Sequence, residues 1–162
     1  MPEEVAAPRR TGIGQLSLKG RALRYLAARE HSRAKLERKL ASFEEEPGQL
    51  VRVLDELHAK GFISEQRVVE SVVNRRQARL GTARIKHELQ SKGLGAQVVS
   101  DAVDALKATE LQRAREVWRK KFGQPTQDAA ERGKQMRFLA SRGFGAEVLR
   151  RVVAGSDEED CL

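Results

Sequence analysis

The chain has 162 residues, with 31 Lys and Arg against 23 Asp and Glu, a formal net charge of +8, and aromatic side chains at only 4% of positions. No window approaches the ~18 consecutive apolar residues that a membrane span needs, and the acidic opening Met1-Pro2-Glu3-Glu4 lacks the apolar run of a secretory signal. The one cysteine, Cys161, can close no internal disulfide, so the expectation is a soluble cytoplasmic protein made of one domain or a short array of small units.

Residues 1–16 mix prolines and glycines with charge and read as a disordered N-terminal arm. From Ser17 onward the periodicity is helical. Ser17 caps a first helix with Leu18, Ala22, Tyr25 and Leu26 inward. Ser32 caps a second, with Leu36, Leu40 and Phe43 on its inner side. Leu50, Val51, Val53, Leu54 and Leu57 mark a third, ending near Gly61. Glu44-Glu45-Glu46 precedes it and places negative charge at its N-terminus. Ser64 opens a fourth helix with the stripe Val68, Val69, Val72 and Val73; Gly81-Thr82 separates a fifth carrying Ile85 and Leu89. A sixth follows Val98, Val99, Val103 and Leu106, and a seventh follows Leu111, Ala114, Val117 and Trp118 until Gly123-Gln124-Pro125. Met136 and Leu139 mark the eighth, and Val148, Leu149, Val152 and Val153 the ninth. No alternating strand pattern occurs, so the fold class is all-α.

The chain also repeats itself. Ser91-Lys92-Gly93-Leu94-Gly95-Ala96-Gln97-Val98-Val99 and Ser141-Arg142-Gly143-Phe144-Gly145-Ala146-Glu147-Val148-Leu149 share five of nine residues at an offset of 50. A weaker echo lies earlier, at Leu40-Ala41-Ser42. The reading is three tandem three-helix repeats, 17–63, 64–108 and 109–155, followed by an acidic tail, 156–162. Each unit is too small to bury its apolar faces alone, and the array is expected to be elongated and curved, right to left. The repeated glycine pairs lack P-loop spacing and follow no strand. They read instead as helix-turn-helix joints, in which Gly93 and Gly143 take left-handed C′ positions, Leu94 and Phe144 pack back, and Gly95 and Gly145 start the next helix.

No catalytic or metal constellation is present. His31, His58 and His87 lack ligand spacing and are expected at the surface or at helix ends. Cys161, beside Asp157-Glu158-Glu159-Asp160, has neighbours that raise a thiol pKa, the wrong direction for a nucleophile. No cofactor is expected, and an enzyme is not.

The charge carries more information. Without the tail's −4, residues 1–156 hold +12, a body suited to a polyanion such as nucleic acid. The alternative is a solvated, highly charged helical surface. Residues 19–43, including Arg24, are net +6, and residues 65–155 carry 19 bases against 10 acids. No acid lies between Glu70 and Glu88, whereas Arg75, Arg76, Arg79, Arg84 and Lys86 do. At about 100° per residue, Arg76 and Arg79 continue the valine stripe on the same face. Buried unpaired arginines are costly. The fourth helix is therefore expected to project past its core and present them to a partner, or else their stems snorkel along it. A second cluster, Arg113, Arg115, Arg119, Lys120 and Lys121, surrounds Trp118, which reads as core rather than as a stacking platform.

These segments resemble a known family. Ala22-Leu23-Arg24-Tyr25-Leu26 with Ser32 and Ala34-Lys35-Leu36-Glu37 is similar to the opening signature of the bacterial RecX regulatory proteins. Lys60-Gly61-Phe62-Ile63-Ser64-Glu65 resembles that family's glycine-aromatic step. Gly81-Thr82-Ala83-Arg84-Ile85-Lys86-His87-Glu88-Leu89-Gln90-Ser91-Lys92-Gly93 is the most similar block. The departures are Glu37 after Leu36, and Val68-Val69 where Phe-Ala is common. The resemblance spans roughly Leu18 to Val153 and implies three three-helix repeats with no catalytic residues. It implies binding to the RecA recombinase and its DNA filament, inhibition of strand exchange, ATP hydrolysis and co-protease activity, and in some members DNA binding. On that basis a monomer that contacts RecA, its nucleoprotein filament and single- or double-stranded DNA is expected. The contact face would comprise Arg24, Arg75, Arg76, Arg79, Arg84, Lys86, Arg115, Arg119 and Lys120.

Overall fold

The structure, a computed structural model, describes residues 15–155. Most of the N-terminal arm, the acidic tail and Cys161 lie outside the described residues. Within them the chain is all-helical, and no helix is long and apolar enough to cross a membrane. The chain divides into two compact units, at Ile63/Ser64.

The first unit contains α1 (Leu18–Ala28), α2 (Arg33–Leu40), a 3₁₀ turn (Ala41–Phe43) and α3 (Gln49–Ala59). Ser17 and Ser32 cap as their positions predict: Ser17 Oγ accepts from the Gly20 amide and Ser32 Oγ from the Lys35 amide. Glu44 Oε1 accepts from the Leu50 amide at 3.3 Å, so the acidic triplet does serve the start of α3. Leu18, Ala22, Leu36, Leu40, Leu50, Leu54, Leu57 and Ile63 form the core. On the outside, Glu56 accepts from Lys19 at 2.7 Å and Lys60 at 2.8 Å, and these two hydrogen-bonded ammonium groups hold its carboxyl down at about 2.

His31 stands at a helix end, just before the Ser32 cap of α2, and is buried there, with its ring edge-on to Tyr25 at 5.6 Å between centroids. One expectation for this unit is corrected: Phe43 is 41% exposed rather than inward. α2 stops at Leu40, and the tighter 3₁₀ turn takes Phe43 off the Leu36/Leu40 stripe. Its ring lies under the Arg21 guanidinium, 3.9 Å from the centroid.

The second unit contains α4 (Glu65–Arg76), α5 (Thr82–Ser91), α6 (Ala96–Lys121), α7 (Ala129–Ser141) and α8 (Ala146–Val153). Among the described residues the nine expected helices are thus eight, because the sixth and seventh are one helix of 26 residues. Lys107-Ala108-Thr109-Glu110 joins their apolar stripes without glycine or proline, so nothing interrupts propagation. α6 contributes Val99, Val103 and Leu106 to a core with Val68, Val72, Ile85 and Leu89. Its second half contributes Ala114, Val117 and Trp118 to another, with Leu139, Phe144, Leu149 and Val152. Trp118 is core, as expected, and its indole N–H donates to the buried Gln135 Oε1 at 2.8 Å.

The repeated glycine motif forms the joints foreseen for it. Gly93 and Gly143 have φ of 69° and 89°, Leu94 and Phe144 are buried, and Gly95 and Gly145 stand at the N-caps of α6 and α8. The joint at Gly143 also touches the turn before α5. Gly81 donates to Arg142 O at 2.7 Å and Ala83 to Gly143 O at 3.2 Å. A Cβ on Gly143 would lie 2.5 Å from Arg84 Cγ, so the two turns approach as closely as they do because neither Gly81 nor Gly143 carries one.

Arg113 is likewise inside the fold rather than part of a surface cluster. It is only 8% exposed. Its guanidinium donates to the carbonyls of Gln77, Leu80 and Leu106 and to the hydroxyls of Thr82 and Thr109. Desolvation lowers its pKa, and the neighbouring Glu110 carboxylate opposes that shift. Glu110 in turn accepts from the Thr82 amide at 3.1 Å, capping α5 from α6.

Candidate polyanion-binding groove

The basic residues of the second unit divide into those spent on the fold and those left facing outward. α4 runs a turn past Val72 and ends at Arg76, so it carries Arg75 and Arg76 beyond its buried stripe but not Arg79. Arg79 lies in the following turn, where a helical phase no longer applies. Arg76 Nε pairs with Glu88 Oε2 at 3.0 Å, and Arg84 Nη1 donates to Ser141 O at 2.9 Å. Both are structural ties. Arg75 is exposed, with its Nε on the Ser71 carbonyl of its own helix at 3.2 Å. Lys86 lines a shallow hollow with Asp104 and Lys107. Arg115 is half-buried and has an intramolecular partner. Arg119 and Lys120 are exposed on the last turn of α6, where cations also complement the helix dipole. Arg24 belongs to the first unit and is exposed there.

One groove collects several cations. Arg79 from the turn after α4, Lys120 and Lys121 from α6 and Arg142 from the end of α7 line an open hollow of about 510 Å³. Val117 and Phe138 supply apolar surface in it, and no carboxylate is among its lining residues. Phe138 sits edge-on to Phe122 at 5.3 Å, and Lys121 Nζ and Arg142 Cζ approach its ring to 5.7 and 4.5 Å of the centroid. Cation–π contact offsets part of the charge but does not neutralise it. None of the four has an ion pair among the described residues, and no carboxylate lines the hollow to offset their charge.

Of the sequence-predicted face, the fold brings Arg79 and Lys120 together here and directs Arg76 and Arg84 into internal contacts. Lys121 was legible as part of the Trp118 cluster. Arg142 and Phe138 were not, because one reads as a turn residue and the other as an ordinary apolar position in α7.

Three comparisons agree on the relationship. The first, second and third RecX three-helix domains match residues 19–57, 64–103 and 108–153. The regulatory protein RecX of Leptothrix cholodnii is 59% identical over 145 residues, covering 90% of this chain and 92% of its own. That of Herminiimonas arsenicoxydans is 47% identical over 146 residues, covering 90% and 97%. The crystal structure of RecX from Lactobacillus salivarius superposes with a TM-score of 0.72 at 18% identity, covering 85% of this chain and 92% of that one, a likeness of fold. The three domain matches and the identity to these relatives place the chain in the RecX family of regulatory proteins.

Proposed function

We propose that this chain binds the RecA recombinase on its DNA filament and restrains strand exchange, ATP hydrolysis and co-protease activity, acting as a monomer in the cytoplasm through DNA repair and the SOS response. The reading takes 17–63, 64–108 and 109–155 as successive three-helix modules, none of them catalytic. The observation that carries it is the groove of Arg79, Lys120, Lys121 and Arg142, whose positive charge an anionic filament surface offsets. DNA phosphates, or carboxylates on adjacent recombinase subunits, supply that anion. Arg75 and Arg119 extend the basic surface on α4 and α6. Arg24, Lys86 and Arg115 are secondary contacts, and Arg76 and Arg84 act by holding the surface in place. Bridging neighbouring subunits obstructs the second DNA strand and the subunit exchange that ATP turnover drives.

A stand-alone nucleic-acid binder is the second reading, favoured by four cations lining the groove with no carboxylate among them. Labelled protein titrated against RecA alone, DNA alone and the RecA–DNA–nucleotide filament at two salt concentrations separates the two. Filament binding should exceed DNA binding, and a combined Arg79→Glu, Lys120→Glu, Lys121→Glu variant with unchanged helical content should lose it by about tenfold or more. Full suppression of filament ATPase by that variant would refute the groove assignment, and equal affinity for naked DNA and filament would favour the second reading.

A further inference from the structure

The first unit carries a different kind of concavity. Arg21, Arg24, Tyr25 and Ala28 follow the i, i+3, i+4, i+7 spacing of one face of α1. Together with Leu16 and Phe43 they line a hollow of about 380 Å³. Leu16 and Phe43 are 44% and 41% exposed, among the few large apolar side chains left outside the cores. Arginine heads stand beside this apolar surface, Lys39 Nζ lies 4.8 Å from the Tyr25 ring centroid, and no carboxylate lines the hollow.

We propose that this face of α1 docks a protein segment of mixed acidic and apolar character, with an aliphatic or aromatic side chain seated between Leu16, Ala28 and Phe43 and a carboxylate on Arg21 or Arg24. Two features favour that occupant. Arg21 already covers one face of the Phe43 ring at 3.9 Å, which leaves less of it for a nucleobase, while the exposed remainder and Leu16 offer apolar area to a side chain. The cations at the hollow are arginines, whose planar fork pairs with an oxyanion in two parallel hydrogen bonds, and beside this apolar surface a side-chain carboxylate on a protein segment supplies both contacts. Helix-face recognition of this kind reads anchors at one-turn spacing. The proposal concerns the other compact unit and stands whether or not the groove beside α6 takes a filament.

The test uses the full chain and short labelled peptides. One peptide sets leucines one helical turn apart among glutamates; a second replaces the leucines with alanine, and a third replaces the glutamates with lysine. Labelled oligothymidylate serves as the nucleic-acid arm. The leucine–glutamate peptide should bind about tenfold more tightly than either control, and both Phe43→Ala and Arg24→Glu should weaken it about tenfold. Both positions are exposed, so thermal unfolding should stay unchanged. Equal binding of the alanine peptide would leave only an ionic surface and overturn the proposal. So would loss of oligothymidylate binding, rather than peptide binding, in Phe43→Ala. A photoreactive benzoylphenylalanine in place of Phe43 should cross-link to the peptide. Cross-links confined to residues 1–14 of the same chain, or to a second copy, would also overturn it.

Discussion

Gly81, Gly143 and Gly145 have the same side chain and different reasons for it. Gly143 needs glycine twice, for a φ of 89° and for the nearness of Arg84, and Gly81 needs it because a Cβ would run into the Gly143 backbone. Gly145 has a negative φ, and the nearest atom to its Cβ would be Glu110 Oε2 at 3.9 Å. Gly81→Ala and Gly143→Ala should each cost about 2 kcal/mol or more in urea unfolding, whereas Gly145→Ala should stay within about 0.5 kcal/mol. Arginines divide in the same manner. Arg113→Ala strands the Gln77 and Leu80 carbonyls and leaves the buried Glu110 without its neighbouring cation, a loss of about 3 kcal/mol or more. The exposed Arg119→Ala should leave the midpoint unmoved and act only on binding. A midpoint that stayed put in Arg113→Ala would mean that its hydrogen bonds are replaced by water. In sequence the two arginines are alike, six positions apart on a basic helix; burial separates them.

At the scale of elements, the caps were readable because they are local. Ser17, Ser32 and Ser64 each sit just before an apolar period, and each side chain accepts the amide three residues on. The extent of α6 was less so, since a gap in the apolar stripe from Leu106 to Leu111 resembles a loop when only periodicity is counted. The backbone has no reason to break there. Because α6 serves both cores of the second unit, they should unfold together. Ala108→Pro removes an i→i−4 hydrogen bond in an exposed stretch between them and should cost about 3 kcal/mol. Urea transitions followed by Trp118 fluorescence, which reports the second of those cores, and by far-UV circular dichroism should coincide in the wild type and separate in Ala108→Pro. Coincident transitions in the variant would show that the shared helix is not the coupling element. The end of α4 illustrates the same limit: carrying a helical phase from Val72 to Arg79 assumed a helix that stops at Arg76.

For the whole molecule, the decisive quantity is how much of the positive charge remains outward after folding. A formal +8 says that a polyanion is attracted, but not through which residues. If the four groove cations each neutralise one phosphate, log affinity for DNA should fall against log salt with a slope of about −3 to −4. Lys120→Gln with Lys121→Gln should make that slope shallower by about 2, measured by fluorescence anisotropy across a sodium chloride series. Arg84→Gln should change it far less, because Arg84 is engaged with the Ser141 carbonyl. A wild-type slope near zero would exclude phosphate contacts in the groove.

Helix type, most helix starts, the glycine joints and the threefold recurrence of a three-helix pattern were determined by the sequence alone, because capping, turn conformation and the 3.6-residue period act between residues a few positions apart. Which arginines became structure, where α6 ran on, and which cations gathered around Phe138 were decided by the tertiary structure. Those outcomes depend on groups far apart in sequence, such as Arg113 with Gln77 and Arg79 with Arg142, competing for the same carbonyls, carboxylates and space. A one-dimensional count of charge holds no record of that competition.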